Sequence, residues 1–298
     1  MKILVLGSAA GGGFPQWNCL CPTCKLAWSG DFRVRSRTQS SLAVSLDSEH
    51  WLLLNASPDL RTQILANRAL HPRHGLRDSP ITAIYLTNGD VDHIAGLIAL
   101  REQQAFAIYG TPAILRLVSD GIFGVVSDTV VARRPVDLGE TVEPLPGLRV
   151  TSFAVPGKVP LFLEGDSVDV GAEGENTVGL EIEGGGKRFF YIPGCARVTP
   201  RLSERLHGAA LLFFDGTLYT DDEMVGLGLS QKTGQRMGHI SMQGPHGSLA
   251  ALAPAAIARK VYIHINNSNP VLVDGSPERV TVERAGWDVA HDGMEIVL

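Results

Sequence analysis

Short apolar runs stopped by glycine, proline or small polar residues recur along this chain, and such runs read as buried strands. Lys2 to Leu6 is the first, ended by Gly7. Ser41 to Leu46 and Trp51 to Leu54 follow as two strands of an antiparallel hairpin, the second running into Asn55-Ala56-Ser57-Pro58-Asp59. Further strands are expected at Ala83 to Leu86, Phe106 to Tyr109, Leu148 to Val155, Val178 to Ile182, Arg188 to Ile192, Ala210 to Phe214 and Lys260 to Ile265. Apolar residues at helical spacing predict helices over Leu60 to Leu70, Ile94 to Gln104, Pro112 to Val118, Pro200 to His207 and Ser248 to Ala258. Strands recur in both halves without a short-period repeat, a pattern that fits an α/β protein with two packed mixed sheets covered by helices rather than a repeating βαβ barrel. Asp120 to Leu145, rich in Val, Pro and charge, shows no clean period.

With 298 residues and 44% hydrophobic positions the chain can bury a substantial core, and no linker forces a division, so a single domain over residues 1–298 is expected. Its 26 Lys and Arg against 31 Asp and Glu give a net charge of -5, without the basic footprint of a nucleic-acid binder. The longest apolar stretches are too short to span a bilayer, and the N-terminal MKILVLGSAAGGG breaks into glycines too early for a signal sequence; no membrane insertion and a cytoplasmic location are expected. Three of the four cysteines fall together, unlike a disulfide framework.

Those three, Cys19, Cys21 and Cys24, can face one tetrahedral ion, and thiolate sulfur suits zinc. The fourth ligand comes from elsewhere in the chain or from water. A second group, Asp90, Asp92 and His93, lies on a polar loop between an apolar strand and a helix, where loop backbone can bring carboxylates and an imidazole onto one cation; capping of the helix is the alternative use of the two aspartates. His264 follows a late strand and gains significance only if it meets that loop. His239, Asp215 and Cys195 are likewise polar or reactive groups placed after apolar runs. Gly7, Gly11, Gly12 and Gly13 do not fit a dinucleotide fingerprint and read as a loop that lets backbone approach a neighbouring site.

Taken together these segments resemble the metallo-β-lactamase superfamily, whose metal loop reads Thr-His-x-His-x-Asp-His-x-x-Gly; here the string runs from Thr87 to Gly96, with Asn88 and Asp90 in place of the two leading histidines. His264 looks like the family's closing histidine, whereas Val155-Pro156-Gly157-Lys158 and Pro193-Gly194-Cys195 stand where a further histidine and a bridging aspartate are usual. The resemblance is closer still to a branch that serves biosynthesis of the redox cofactor pyrroloquinoline quinone. It covers essentially the whole chain and rests on Gly7 to Cys21, Asn55 to Asp59, Thr87 to Gly96, Arg236-Met237-Gly238-His239 and His264 to Asn267.

The resemblance implies an αβ/βα four-layer sandwich and an iron-dependent hydroxylase that uses O2 on the tyrosine ring of a peptide-derived, cross-linked Glu-Tyr diamino acid or a later precursor. Asp92, His93 and His264 are the implied ligands of Fe2+, with Zn2+ as the alternative ion. Asp90 is a fourth ligand or an acceptor that orients an imidazole, His239 a proton shuttle, and Asp215 part of the catalytic group. A related phosphodiesterase completes a similar zinc knot three residues beyond the closing histidine, which here falls on Asn267, implying structural Zn2+ on Cys19, Cys21, Cys24 and Asn267. A substrate with several carboxylates would draw on Arg197, Arg236 or Lys158. The alternatives are a carrier that helps move the cofactor or its precursor to the periplasm and a metal-dependent hydrolase or phosphodiesterase, the latter disfavoured by Asn88 and Asp90. Contacts with other proteins of the pathway and the oligomeric state, a homodimer included, are left open.

Overall fold

The computed structural model describes residues 1–165 and 168–298. Fourteen strands are present among them: β1 Lys2–Gly7, β2 Ser41–Ser45, β3 Trp51–Leu54, β4 Ile81–Tyr85, β5 Phe106–Gly110, β6 Val131–Pro135, β7 Thr141–Leu145, β8 Leu148–Ala154, β9 Val178–Gly184, β10 Lys187–Ile192, β11 Leu211–Asp215, β12 Lys260–Ile263, β13 Trp287–Val289 and β14 Glu295–Val297. They form two seven-stranded mixed sheets flanked by helices, in the orders β14-β1-β2-β3-β4-β5-β6 and β13-β12-β11-β10-β9-β8-β7. The expected hairpin is there, with Leu42 opposite Leu54.

The central strands of the second sheet read as unbroken apolar runs because both of their faces are covered. Phe189, Tyr191, Leu211, Phe213, Val261 and Ile263 join the core shared with the first sheet, alongside Ile3, Val44 and Leu53. Their neighbours Phe190, Ile192, Leu212, Phe214 and Tyr262 face the other way, into a second core with Leu202, Leu206, Trp287 and the three clustered cysteines. Tyr262 stacks on Trp287 with ring centroids 4.0 Å apart.

The architecture brings strand ends together. β3, β4 and β5 are parallel in one sheet, and β10, β11, β12 and β13 in the other. Loops at the carboxyl ends of parallel strands are the usual place for ligands in α/β sheets. Here those ends carry Asn55, the Thr87–His93 loop, Cys195, Asp215 to Thr217 and His264.

Three expected helices are broken. In place of a helix over Ile94 to Gln104, one α-turn at Val91–Ile94 passes into a 3-10 stretch at Ala95–Leu100. Gly96 is pressed so close to the Asn55 turn that a Cβ there would lie 2.1 Å from the Ser57 carbonyl oxygen. The Ser248 to Ala258 helix ends at Ala251 and gives way to a 3-10 turn at Ala253–Ala255, since Pro254 lacks an amide donor and Ala256 takes a left-handed conformation at φ 50°. Leu60 to Leu70 likewise divides at Asn67 into α and 3-10 parts. Among the described residues no helix is long and apolar enough to cross a membrane.

Candidate metal centre

The Thr87–His93 loop is held from below by Asn55, whose own backbone is left-handed at φ 66°. The Asn55 amide donates to Thr87 Oγ1 at 2.9 Å and accepts from the Thr87 amide at 2.9 Å, while Ala56 donates to the His93 carbonyl at 2.7 Å. This fastening explains the Asn55-Ala56-Ser57-Pro58-Asp59 string, and it aims two side chains inward. His93 Nδ1 lies 2.7 Å from Asn88 Oδ1. A carbonyl oxygen only accepts, so Nδ1 carries the proton and Nε2 presents a lone pair. That Nε2 is buried without a hydrogen-bond partner, 3.7 Å from Asp92 Oδ2.

His264 approaches from the opposite sheet, in a left-handed conformation at φ 60° just beyond β12. Its Nδ1 is 2.8 Å from Thr217 Oγ1, and the Thr217 hydroxyl lies 2.7 Å from Asp215 Oδ1. The aspartate can only accept, so the hydroxyl proton goes to Asp215 and the hydroxyl oxygen accepts from His264 Nδ1. The lone pair on His264 Nε2 then faces Asp92 Oδ2 at 2.9 Å. Two acceptors at that distance require a cation or a proton between them. Asp92, His93 and His264 thus bring three ligand atoms within 4.8 Å of one another. The donor set fits a divalent metal, and the orphaned His93 Nε2 is the clearest sign of it.

Electrostatics agree. Burial acts to raise the Asp92 carboxyl, but positive charge beside it, a proton on His93 or His264, outweighs burial and holds the group well below the usual carboxylate range; a cation bound between the three side chains would take the place of that proton. Burial pushes His93 down to about 4, which keeps the imidazole neutral and able to bind metal. Asp90 stands outside the tight set: its Oδ1 accepts from the Leu161 amide at 3.2 Å, and burial together with the Asp92 charge raises its carboxyl. Neither aspartate makes a side-chain cap to the following helical turn, so the capping alternative does not describe them.

Asp215, His239 and His264 also lie within reach of one ion. Asp215, however, already accepts four hydrogen bonds, from the Cys195 amide, the Thr217 amide, the Thr217 hydroxyl and His239 Nδ1 at 2.7 to 3.0 Å. This is an orienting network. Burial works against a charge on His239, yet Asp215 more than offsets it and raises the imidazole above its ordinary range. His239 stacks on His264 at 5.2 Å, and its Nε2 has no hydrogen-bond partner among the described residues. Cys195 contributes its amide to Asp215 while its thiol, pushed far up by burial, points to the Arg197 carbonyl oxygen at 3.1 Å.

The second cluster closes differently. Cys19, Cys21 and Cys24 are all buried, their sulfurs mutually within 4.8 Å. The Asn267 side-chain amide sits over them and donates its Nδ2 hydrogens to the sulfurs, 3.2 Å from Cys19 Sγ and 3.3 Å from Cys24 Sγ; as a donor it steadies thiolates, and only with its Oδ1 turned inward would it be a fourth ligand. Burial pushes Cys24 up to about 12, while hydrogen bonds led by Thr23 bring Cys21 down despite its own burial. Binding a cation here must expel protons.

Residues 50–265 match the model of the beta-lactamase superfamily domain. Over the full length of both chains the sequence is 61% identical to coenzyme PQQ synthesis protein B of Methylorubrum extorquens strain PA1. The chain belongs to the coenzyme PQQ synthesis protein B family. A crystal structure of zinc-bound PqqB from Methylobacterium extorquens superposes with a TM-score of 0.99 at 61% identity, covering all of both chains. A diphosphatase of the PhnP family, 21% identical, superposes at 0.69 over 100% of this chain and 97% of its own, which shows the shared fold.

For this PqqB-family chain the cationic residues suggested by sequence divide. Lys158 and Arg236 come together on Glu164, at 2.9 Å and 3.1 Å. Lys158 runs beside the metal centre: a Cβ on Gly238, next to His239, would lie 3.1 Å from Lys158 Cγ. Arg197 instead lines a separate cavity of about 410 Å³ with Asp221, Gln235 and His246. Thr217, Glu164 and Lys232 were not anticipated. Thr217 had one signal, its place two residues after Asp215; Glu164 and Lys232 had none. The glycine loop does approach the centre, with a Cβ on Gly11 falling 3.6 Å from Asp92 Cγ.

Proposed function

We propose that this member of the coenzyme PQQ synthesis protein B family is an Fe(II)-dependent, O2-using hydroxylase of the tyrosine ring in the cross-linked Glu-Tyr precursor, working in the cytoplasm. The observation that carries the reading is the convergence of one carboxylate and two imidazoles, with His93 Nε2 unpartnered, on a point where no fourth ligand among the described residues closes the set. Two histidines and one carboxylate with open positions are the donor set of non-haem iron oxygenases. Iron bound there supplies the one-electron chemistry that O2 requires.

The chain's own residues bind, orient and move protons. Asp92, His93 and His264 hold the metal, and Asn88 and Thr217 fix which imidazole nitrogen faces it. Asp90 lies close enough to act on the centre through its charge. His239 Nε2 holds or releases the proton of the phenol oxygen, and Asp215 stabilises the imidazolium that forms. Lys158 and Arg236 meet substrate carboxylates, and Arg197 serves a more distant one. Cys19, Cys21, Cys24 and Asn267 hold a structural Zn2+.

The test is anaerobic reconstitution with Fe(II), then exposure to O2 with a tyrosine-derived diamino acid, following product mass. A gain of one oxygen that disappears in His93→Ala supports the reading. Tight substrate binding with no turnover under any metal overturns it and leaves a carrier of the cofactor or its precursor.

A further inference from the structure

Three cations surround one carboxylate beside the metal centre. Glu164 Oε1 lies 2.9 Å from Lys158 Nζ, and Oε2 lies 3.2 Å from Lys232 Nζ and 3.1 Å from Arg236 Nη2. Among the described residues no other carboxylate pairs with any of the three, so the group holds more positive than negative charge in a chain whose net charge is -5. Arg236 Nη1 is buried and has no hydrogen-bond partner, a donor left over after Glu164 has been served. The Glu164 side chain is 8% exposed and that of Lys158 10%, so the bonds are sheltered from water; those of Lys232 and Arg236, at 40% and 41%, open toward solvent.

The group also has a direction. Lys158 passes alongside Gly238, one residue before His239, and Leu161, three residues before Glu164, donates its amide to Asp90. The segment from Lys158 to Glu164 thus lies against the residues flanking the metal centre, Asp90 and Gly238. Glu164 Oε2 accepts from Lys232 and Arg236 while Oε1 faces the Lys158 ammonium without an aligned hydrogen bond, which sets the chemistry that fits: a planar, singly charged group with two acceptors facing three cations.

We propose that Lys158, Lys232 and Arg236 form the binding site for a carboxylate of the reactant, and that Glu164 holds the place of that carboxylate until it is displaced. The inference rests on the reading of the adjacent centre as the reaction site, but only for the direction in which the ligand lies. Occupancy by Glu164 imposes a competition: ligand affinity is reduced by the fraction of time the cations are free. The segment that carries Glu164 also carries the Leu161 amide bound to Asp90, so displacement changes the surroundings of Asp90.

The experiment is calorimetric titration of the full-length, metal-loaded protein with benzene-1,3,5-tricarboxylate at low salt. Glu164→Gln removes the competing charge and is expected to tighten binding by about tenfold. Lys158→Ala is expected to weaken it by a similar factor, with Lys232→Ala as the partly exposed second variant should Lys158→Ala fold poorly. In a His93→Ala background, where the open centre holds no metal to coordinate the probe, Glu164→Gln is expected to tighten binding by the same factor, which separates this site from the hydroxylase reading. Unchanged or weaker binding by Glu164→Gln overturns the proposal. So does inorganic phosphate binding to Glu164→Gln as tightly as the tricarboxylate, since that marks a general anion site.

Discussion

One short segment beyond β12 serves both three-residue clusters: His264 completes the carboxylate-imidazole set, and Asn267, three positions later, covers the thiols. The cysteine cluster is buried, and the Asn267 side-chain amide covers it by donating hydrogen bonds to the sulfurs. The Asp92–His93–His264 cluster has the same number of donors, but the Asp92 side chain retains 14% exposure and its nearest other acid, Asp90, turns to a backbone amide instead. On the function proposed above, equal donor counts lead to opposite roles. A closed set serves structure and an open one leaves room for a reactant.

The contrast predicts the largest effect at the knot. Cys24→Ala should remove the ion there and lower stability by about 4 kcal/mol, or about 10 °C in Tm, less than the roughly 10–16 kcal/mol with which structural zinc binds small domains that depend on it entirely; calorimetry and metal analysis read both. An unchanged Tm with the ion lost would break the structural assignment. His93→Ala should abolish metal binding at the open centre while the knot keeps one equivalent of zinc. Loss of both ions together would mean that the clusters are not separable. Thr217→Val should weaken the open centre by about 10- to 100-fold, because His264 Nδ1 loses the acceptor that sets its tautomer; Thr217→Ser should restore it, and competition with a chelator distinguishes the two. Zinc at the knot should not respond.

A last effect, confined to pH dependence, concerns Glu223, which accepts from Ser268, the residue after Asn267, and from the Tyr219 amide. Burial raises its carboxyl to about 7. A native acid raised above its unfolded value binds more protons than the unfolded chain between the two values. Its contribution is therefore fully present below the unfolded value near 4.5 and declines as pH rises toward 7. Glu223→Gln should remove that slope, flattening stability between those limits by about 3 kcal/mol, as followed by denaturant titration at several pH values.

What could be read in the sequence follows burial. Strands covered on both faces, such as Phe189 to Ile192 and Leu211 to Phe214, announce themselves as apolar runs. β6 and β7 do not, because each is an edge strand: Val131–Pro135 carries Arg133, Arg134 and Pro135, and Thr141–Leu145 alternates exposed and half-buried positions around Pro144. β13 and β14 are too short to show a period. In the metal centre the residues with distinctive chemistry were legible, the Asp92-His93 pair and His264 among them, since few other residue types bind metals. Thr217 was not, because a hydroxyl that orients two imidazoles looks like any threonine until the fold brings Asp215, His239 and His264 around it. Asn88 stands where a ligand is usual in the superfamily, and only the geometry shows its carbonyl orienting His93.

The antiparallel pairing of β1 with β14 places Lys2 opposite Val297 and closes one side of the first sheet with the last strand of the chain. During synthesis that edge of β1 waits, its amides and carbonyls unpaired, until the residues between it and β14 have been made. Contacts of such high sequence separation form late and slow folding, and an open strand edge invites pairing with another molecule in the interval. The arrival of β14 is thus the step that shields β1 from association with other chains.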